Sequence, residues 1–402
     1  MSTTAVERTT ISRRAGTAGA LRVALFCDSY PPQINGVALL CQRLVDAVRA
    51  RGGAVRVFTT TDPASDDTAN VRRWPSVPLW FYPEHRLALP TQPRVRRELK
   101  AWRPTLVHAT SPFGLGLAGR AAARALGLPF VSSYHTNWSA YSRFYQMGAL
   151  QNAAWKYLRW FHNGGVRTYC PTRAVQRELA SHGFHNTAIW SRGVDASRFD
   201  PSYRSSALRE QLGVPADGLL AVYVGRLGAE KGLDVALRAM HRVQRELPGR
   251  IWFALGGDGP YREEAERDAP PATTFLGRLT GRALSELYAS ADLFVFPSAT
   301  DTFGNVLLEA MASGLPVIGA DVGPTRELLS ERSGVTFPAG DAAALARSII
   351  DLAAAPERRV AMARRGLSFA RRCTWERVFD DLVADYLSVQ DIAAPRRGDS
   401  AA

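Results

Sequence analysis

The stretch LFVFPSATDTFGNVLLEAMASGLPVIGA, residues 293–320, decides the fold. "LFVFPS" is a short apolar run of the kind that makes a buried strand. "GNVLLEAMAS" places Val306, Leu307, Ala310 and Met311 on one side of a helix, and "LPVIGA" is a second buried run. Strand, helix and strand in that order make one unit of a parallel sheet, because parallel neighbours need a crossover between them.

The alternation continues upstream through "GLLAVYVG" (218–225), "RIWFALGG" (250–257) and "TTFLG", each followed by a helical pattern. An earlier series begins with "LRVALFC" (21–27). Its first helix, "VALLCQRLVDAVRARGG", carries Val37, Leu40, Cys41, Leu44, Val45 and Val48 on one face and ends at Gly52 and Gly53. "AVRVFTT", "TLVHAT", "LPFVSSY" and "VRTYCPT" continue as strands. The turn-rich "SRGVDASRFDPS" separates the two series. The chain therefore reads as an α/β protein of two Rossmann-like units, residues 21–200 and 201–373, after a loose tail at 1–20. Such sheets bind ligands beyond the carboxyl ends of their strands, so the crevice between the units is the expected site.

Bulk properties narrow the class. The 402 residues, 46% apolar, suffice for two cores. No run of eighteen apolar residues occurs, and the opening "MSTTAVERTTISRRAGTAGA" has no apolar run of signal-peptide length, so export is not expected and a cytoplasmic setting is. Cys27, Cys41, Cys170 and Cys373 have no paired spacing, which fits buried thiols in a reducing compartment. Of the net charge of +13, the whole excess lies early: 25 Lys/Arg against 10 Asp/Glu through Asp195, and 25 against 27 after it. A one-sided positive charge suits an anionic partner, a nucleic acid or an acidic membrane face, or else a solubilising surface. No nucleic-acid motif is present, so a nucleic-acid partner is not expected.

Two motifs sit at strand ends of the second unit. In "VYVGRLGAEKGLDVAL" a strand ends at Gly225 and a helix starts near Gly232. Lys231 lacks the flanking Gly and Ser/Thr of a Walker loop. With Arg226 five residues earlier, it forms a cation pair that can reach one diphosphate, or two solvated charges. In the opening stretch, the Phe303-Gly304-Asn305 step turns unpaired backbone N–H groups and the positive end of a helix dipole toward the crevice. Asp301 before that turn and Glu309 inside the helix can each accept hydroxyl hydrogen bonds from opposite ends of a sugar nucleotide. The plainer alternative makes Asp301 a helix cap and Glu309 a solvated residue.

In combination "VGRLGAEKG", "GGDGP" and "TDTFGNVLLEAMASGLPVI" resemble the retaining nucleotide-sugar glycosyltransferases of GT-B fold, glycosyltransferase family 4, which includes bacterial GDP-mannose-dependent α-mannosyltransferases and sulfoquinovosyl and glycolipid transferases. The resemblance spans nearly all of residues 21–390. The family signature is Glu, seven residues, Glu; here Asp301 takes the first place. The resemblance implies that Arg226 and Lys231 bind the diphosphate, Glu309 the ribose, and Asp301 with the backbone of Phe303, Gly304 and Asn305 the transferred sugar and its phosphate. It implies that Gly36 in "QINGVA" lets the first unit approach the donor, that His135 in "SSYHTNW" touches the donor sugar, that Gly257 lines the nucleotide pocket, and that Arg278 lies where the base is contacted, largely through backbone. It also implies that the amphipathic segment 374–391 crosses back to the first unit, leaving 392–402 as a tail.

The chain contains no Asp two positions after another, so the Asp-x-Asp metal ligand of the other main glycosyltransferase architecture is missing. Arg226, Lys231 and the helix start can neutralise a leaving diphosphate, and neither a metal nor another cofactor is expected. "PLWFYPEHRL" (78–87) and "YSRFYQMGALQNAAWKYLRWFHNGG" (141–165) interleave aromatics with cations, which suits an anionic membrane surface and a lipid or lipid-linked acceptor. Alternatively Trp155, Leu158 and Phe161 are simply core. A sugar-nucleotide epimerase, a glycogen-type synthase, a UDP-sugar transferase or a non-catalytic basic binding protein are the competing functions.

Overall fold

The computed structural model describes residues 21–33, 35–62, 68–79, 82–135 and 148–393. The first lobe is built on a seven-stranded parallel sheet in the spatial order Val71–Trp74, Ala54–Thr60, Arg22–Phe26, Leu106–Ala109, Phe130–Ser133, Arg167–Cys170, Thr187–Ile189. The second holds a six-stranded parallel sheet ordered Thr273–Phe275, Ile251–Gly256, Leu219–Val224, Leu293–Phe296, Val317–Ala320, Gly334–Phe337. In both, chain order reverses beside the first strand, the doubly wound arrangement of dinucleotide-binding folds.

The central strands are apolar on both faces because helices cover both faces. In the second lobe, Leu233, Ala236, Met240 and Ile349 pack on one side, and Leu307, Leu308, Met311 and Tyr288 on the other. The quoted stretch folds as strand Leu293–Phe296, helix Asn305–Ala312 and strand Val317–Ala320. Its helix differs in one respect from the sequence reading: Leu308 is fully buried and Val306 only partly, since the helix is enclosed on two sides, by its own sheet and by helix Pro356–Arg372. Three edge strands, Val71–Trp74, Thr187–Ile189 and Gly334–Phe337, and the antiparallel pair Ser76–Leu79 with Tyr82–Ala88 were not marked in the sequence.

The last helix, Trp375–Ala393, lies on the first lobe, where Phe379, Leu382, Val383 and Tyr386 join Leu44, Val48, Leu106 and Trp190 in one core. Asp385 anchors it by accepting from Tyr169 Oη at 2.7 Å and pairing with Arg167 at 3.2 Å. Tyr386 Oη meets Nδ1 of the buried His108, whose Nε2 meets Ser133 Oγ. The chain passes between lobes twice at one place. Val194 N donates to Cys373 O at 2.8 Å, Val194 and Thr374 form a parallel bridge, and a Cβ on Gly193 would fall 2.5 Å from Trp375 N.

Cys27, Cys41 and Cys170 are buried free thiols, and Cys373 is a half-buried one. Trp155, Leu158 and Phe161 are buried, so that face of helix Gly148–His162 is core; Trp160 points outward. Residues 80–81 and 141–147 of the aromatic segments lie outside the described residues. Among the described residues no helix is long and apolar enough to cross a membrane.

Candidate active site

The two strand-end motifs of the second lobe interlock. Strand Leu219–Val224 runs into a short turn, Ala229–Lys231, and then helix Leu233–Glu246. Gly232 joins turn to helix with φ 70°, and a Cβ there would lie 2.7 Å from Pro297 O, so the other motif passes directly beneath it. Thr300 Oγ1 donates to Glu230 O at 3.3 Å. Lys231 Nζ then reaches both carboxylate oxygens of Asp301, at 2.9 and 3.0 Å, and Ser298 Oγ also donates to Asp301. Arg226 Nη1 pairs with Glu230 Oε1 at 2.9 Å, the Glu230 side chain being only 3% exposed. Arg226 and Lys231 thus come with carboxylate partners. Asp301 caps no helix: Gly304 holds the N-cap position of helix Asn305–Ala312 with φ 85° and no side-chain cap bond.

At the start of that helix, Phe303 is buried against its own lobe, so only its backbone is available to a ligand. Asn305 Oδ1 is buried without a partner among the described residues. Glu309 accepts from Tyr288 Oη at 3.0 Å. Burial pushes its carboxyl up, and the Tyr288 hydrogen bond and the charges of Arg198 and Arg43 pull it back. Glu309 and Asn305 line a cavity of about 70 Å³ between the lobes, together with Gly36, Arg43, Asp195 and Trp375. Arg43 is in the first helix, Gly36–Ala50, and its guanidinium stacks on Trp375 at 4.4 Å.

The first lobe brings two residues singled out in the sequence to this crevice. Gly36 opens helix Gly36–Ala50, whose Val37 and Ala38 N–H groups donate to Asn35 Oδ1 at 3.1 and 2.9 Å. A Cβ on Gly36 would meet nothing within 4 Å, so the clearance there is not needed by the fold itself. His135 follows strand Phe130–Ser133. Its carbonyl accepts from Thr302 Oγ1 at 2.9 Å, which ties it across the crevice to the turn before Gly304. Arg192 Nη2 lies 3.0 Å from His135 Nδ1. A guanidinium only donates, so Nδ1 accepts and the proton of the neutral ring is on Nε2. Burial, then the charges of Arg192, His108 and His162, hold this imidazole well below its usual range. Nε2 itself is shut off from solvent and has no partner among the described residues, which leaves an N–H donor waiting for an acceptor.

Gly257 and Arg278 stand apart from that constellation. Gly257, with φ 147°, has its Cβ direction filled by Gly225 O at 1.8 Å, and its N–H donates to Gly277 O at 2.7 Å. Its small size serves the contact between two loops. Arg278 is exposed in the turn after strand Thr273–Phe275. Arg43, Arg192, Arg198 and Thr302 escaped the sequence reading. Thr302 lies inside the quoted motif and the arginines outside the motifs, and each gains its place through a partner distant in sequence.

Comparison with known proteins agrees with this layout. The family model "Glycosyltransferase Family 4" matches residues 34–198, and "Glycosyl transferases group 1" matches residues 205–368. The chain is 34% identical to the GDP-mannose-dependent alpha-mannosyltransferase of Mycolicibacterium smegmatis, over 92% of this chain and 98% of that one. It is 34% identical to sulfoquinovosyl transferase SQD2 of Arabidopsis thaliana over 80% of this chain, a match that spans 64% of the plant enzyme. Its fold superposes on sucrose-phosphate synthase from Thermosynechococcus elongatus with a TM-score of 0.75 at 22% identity, covering 93% of this chain and 100% of that one. With two facing Rossmann-like lobes and both family models matched in order, the chain belongs to glycosyltransferase family 4 and is a hexosyltransferase of GT-B fold acting on nucleotide sugars.

Proposed function

We propose that the protein transfers mannose from GDP-mannose, with retention of anomeric configuration and without a metal ion, to a lipid or lipid-linked acceptor at the inner face of an anionic membrane. The observation that carries the donor is the near full-length similarity to enzymes named for GDP-mannose. The acceptor rests on the basic first lobe and its outward Trp160.

In this reading the diphosphate lies on the N–H groups at the start of helix Asn305–Ala312, within reach of Lys231 and Arg226. Glu309 takes the ribose, and Asp301 takes the hexose while it holds the Lys231 ammonium. The His135 Nε2–H donates to a hexose hydroxyl. The acceptor hydroxyl oxygen attacks the anomeric carbon from the face the diphosphate leaves. The bond from that carbon to the phosphate oxygen breaks with its electron pair on phosphate, and the acceptor proton passes to that oxygen. The protein supplies charge and orientation, and no side chain needs to act as base.

Two measurements test this. Turnover in excess chelator should equal turnover with magnesium; a loss that magnesium restores refutes metal independence. In a thermal-shift screen of GDP-, UDP- and ADP-sugars, GDP-mannose should raise Tm most. A larger shift with a UDP-sugar would replace the donor and leave the mechanism intact.

A further inference from the structure

A groove of about 970 Å³ crosses the first lobe between the start of helix Gln92–Trp102, one face of helix Gly114–Leu126 and the end of helix Gly148–His162. None of the crevice residues lines it. Its floor is the Leu117, Ala118 and Ala121 face of the middle helix, and no carboxylate borders it among the described residues. Among the described residues seven large apolar side chains are exposed, and three of them line this groove: Leu89 at 79%, Trp160 at 53% and Val166 at 37%. Apolar side chains left in water and gathered at one place mark a surface that something covers.

The rim shows what kind of molecule that is. Arg96, Arg120 and Arg124 border the groove, and none of the three forms an ion pair among the described residues. Arg120 and Arg124 are one helical turn apart, where like charges repel. Arg120 stacks over the Trp160 ring at 4.0 Å and its Nη2 donates to Trp160 O at 3.3 Å, while its Nε is buried with no acceptor among the described residues. Its guanidinium is pulled below its usual range by burial and by Arg124. The groove therefore combines an apolar floor, a tryptophan at the edge and, on one side, positive charge with no carboxylate partner among the described residues. An anion on an apolar tail answers all three; a neutral hydrocarbon leaves the arginines without a counter-charge, and an inorganic anion leaves the floor wet. The volume is at the upper end of ligand pockets, which run to about 1,000 Å³.

We propose that this groove binds an anionic phospholipid of the bilayer, one acyl chain lying along helix Gly114–Leu126 and the phosphate held by Arg120, Arg124 and Arg96. Trp160 enters the headgroup layer beside it. The inference rests on the membrane reading above and assigns it to one surface, separate from the reacting crevice.

The test is sedimentation of the full-length protein with phosphatidylcholine vesicles, with and without half phosphatidylglycerol. The parent protein should bind the mixed vesicles. Arg120→Gln with Arg124→Gln should lower the partition coefficient roughly 30-fold, each charge near the surface counting for about fivefold. Both should transfer sugar to a water-soluble acceptor equally well. Brominated acyl chains should quench parent fluorescence, and part of that quenching should vanish in Trp160→Phe. Because Arg120 packs on Trp160, Arg96→Gln with Arg124→Gln serves as the second variant and decides the outcome if the first loses thermal stability. Undiminished binding by both variants to mixed vesicles overturns the groove and leaves the membrane reading standing. Equal parent binding to both vesicle types overturns the anionic class. No parent binding to either defeats the groove and the membrane reading together.

Discussion

At the scale of single residues, the pairing of Lys231 with Asp301 turns two separate expectations into one device. A lone ammonium beside a diphosphate would be free to swing; here 2.9 and 3.0 Å contacts fix it. Lys231→Ala should lower kcat about 100-fold, the scale on which a positioned donor acts on developing charge. It should also change the effect of Asp301→Asn in a double-mutant cycle; additive losses would separate the two. Glycine positions divide in the same way between ligand and fold. Gly36→Ala meets open space, so Tm should stay within about a degree while the donor KM rises; Gly257→Ala drives a methyl into the Gly225 carbonyl and should lower Tm by several degrees, on the order of 2–4 °C per kcal/mol. Thermal melts of the two proteins check this, and the reverse ranking would exchange their roles.

At the scale of elements, the start of helix Asn305–Ala312 depends on a left-handed residue. Gly304→Ala places a side chain at φ 85° and 3.0 Å from Leu307, at a cost of about 1–2 kcal/mol. The helix should re-form with its first N–H groups displaced, raising the donor KM in steady-state kinetics; an unchanged KM would mean the diphosphate does not rest there. This helix also shows how far sequence reading reaches. Its existence follows from spacing, and so do the central strands, whose two buried faces make continuous apolar runs. The edge strands "VRRW", "TAI" and "GVTF" face solvent on one side and are too short for periodicity to show. The helix-cap reading of Asp301 competed with the sugar-binding one because position before a helix is legible, while the partner Lys231, seventy residues earlier, is not. The same holds for the Arg192 contact that fixes the His135 tautomer and for the Thr302 bond across the crevice.

At the scale of the whole molecule, buried histidines make the first lobe sensitive to acid. Burial holds both His108 and His162 at about 3, below the usual 6.5 of an unfolded chain. The unfolded state therefore takes up protons first as pH falls. The contribution of neutral burial is complete above about 6.5 and shrinks as pH drops toward 3, by about 2 kcal/mol per histidine at pH 5. Denaturant unfolding at pH 7 and pH 5 should show that loss; equal stabilities would mean the rings are not buried neutral. His108 touches Tyr386, so the seam between the last helix and the first lobe should loosen early.

Both passages of the polypeptide from one half to the other run side by side, as Val194 against Thr374. Paired connections at a single place act as one axle. The halves can swing open and shut about that line, but a sideways slide would have to pull the paired backbones apart. Nucleotide entry should then be a rotation, and a protease cut in either passage alone should leave an enzyme still joined by the other.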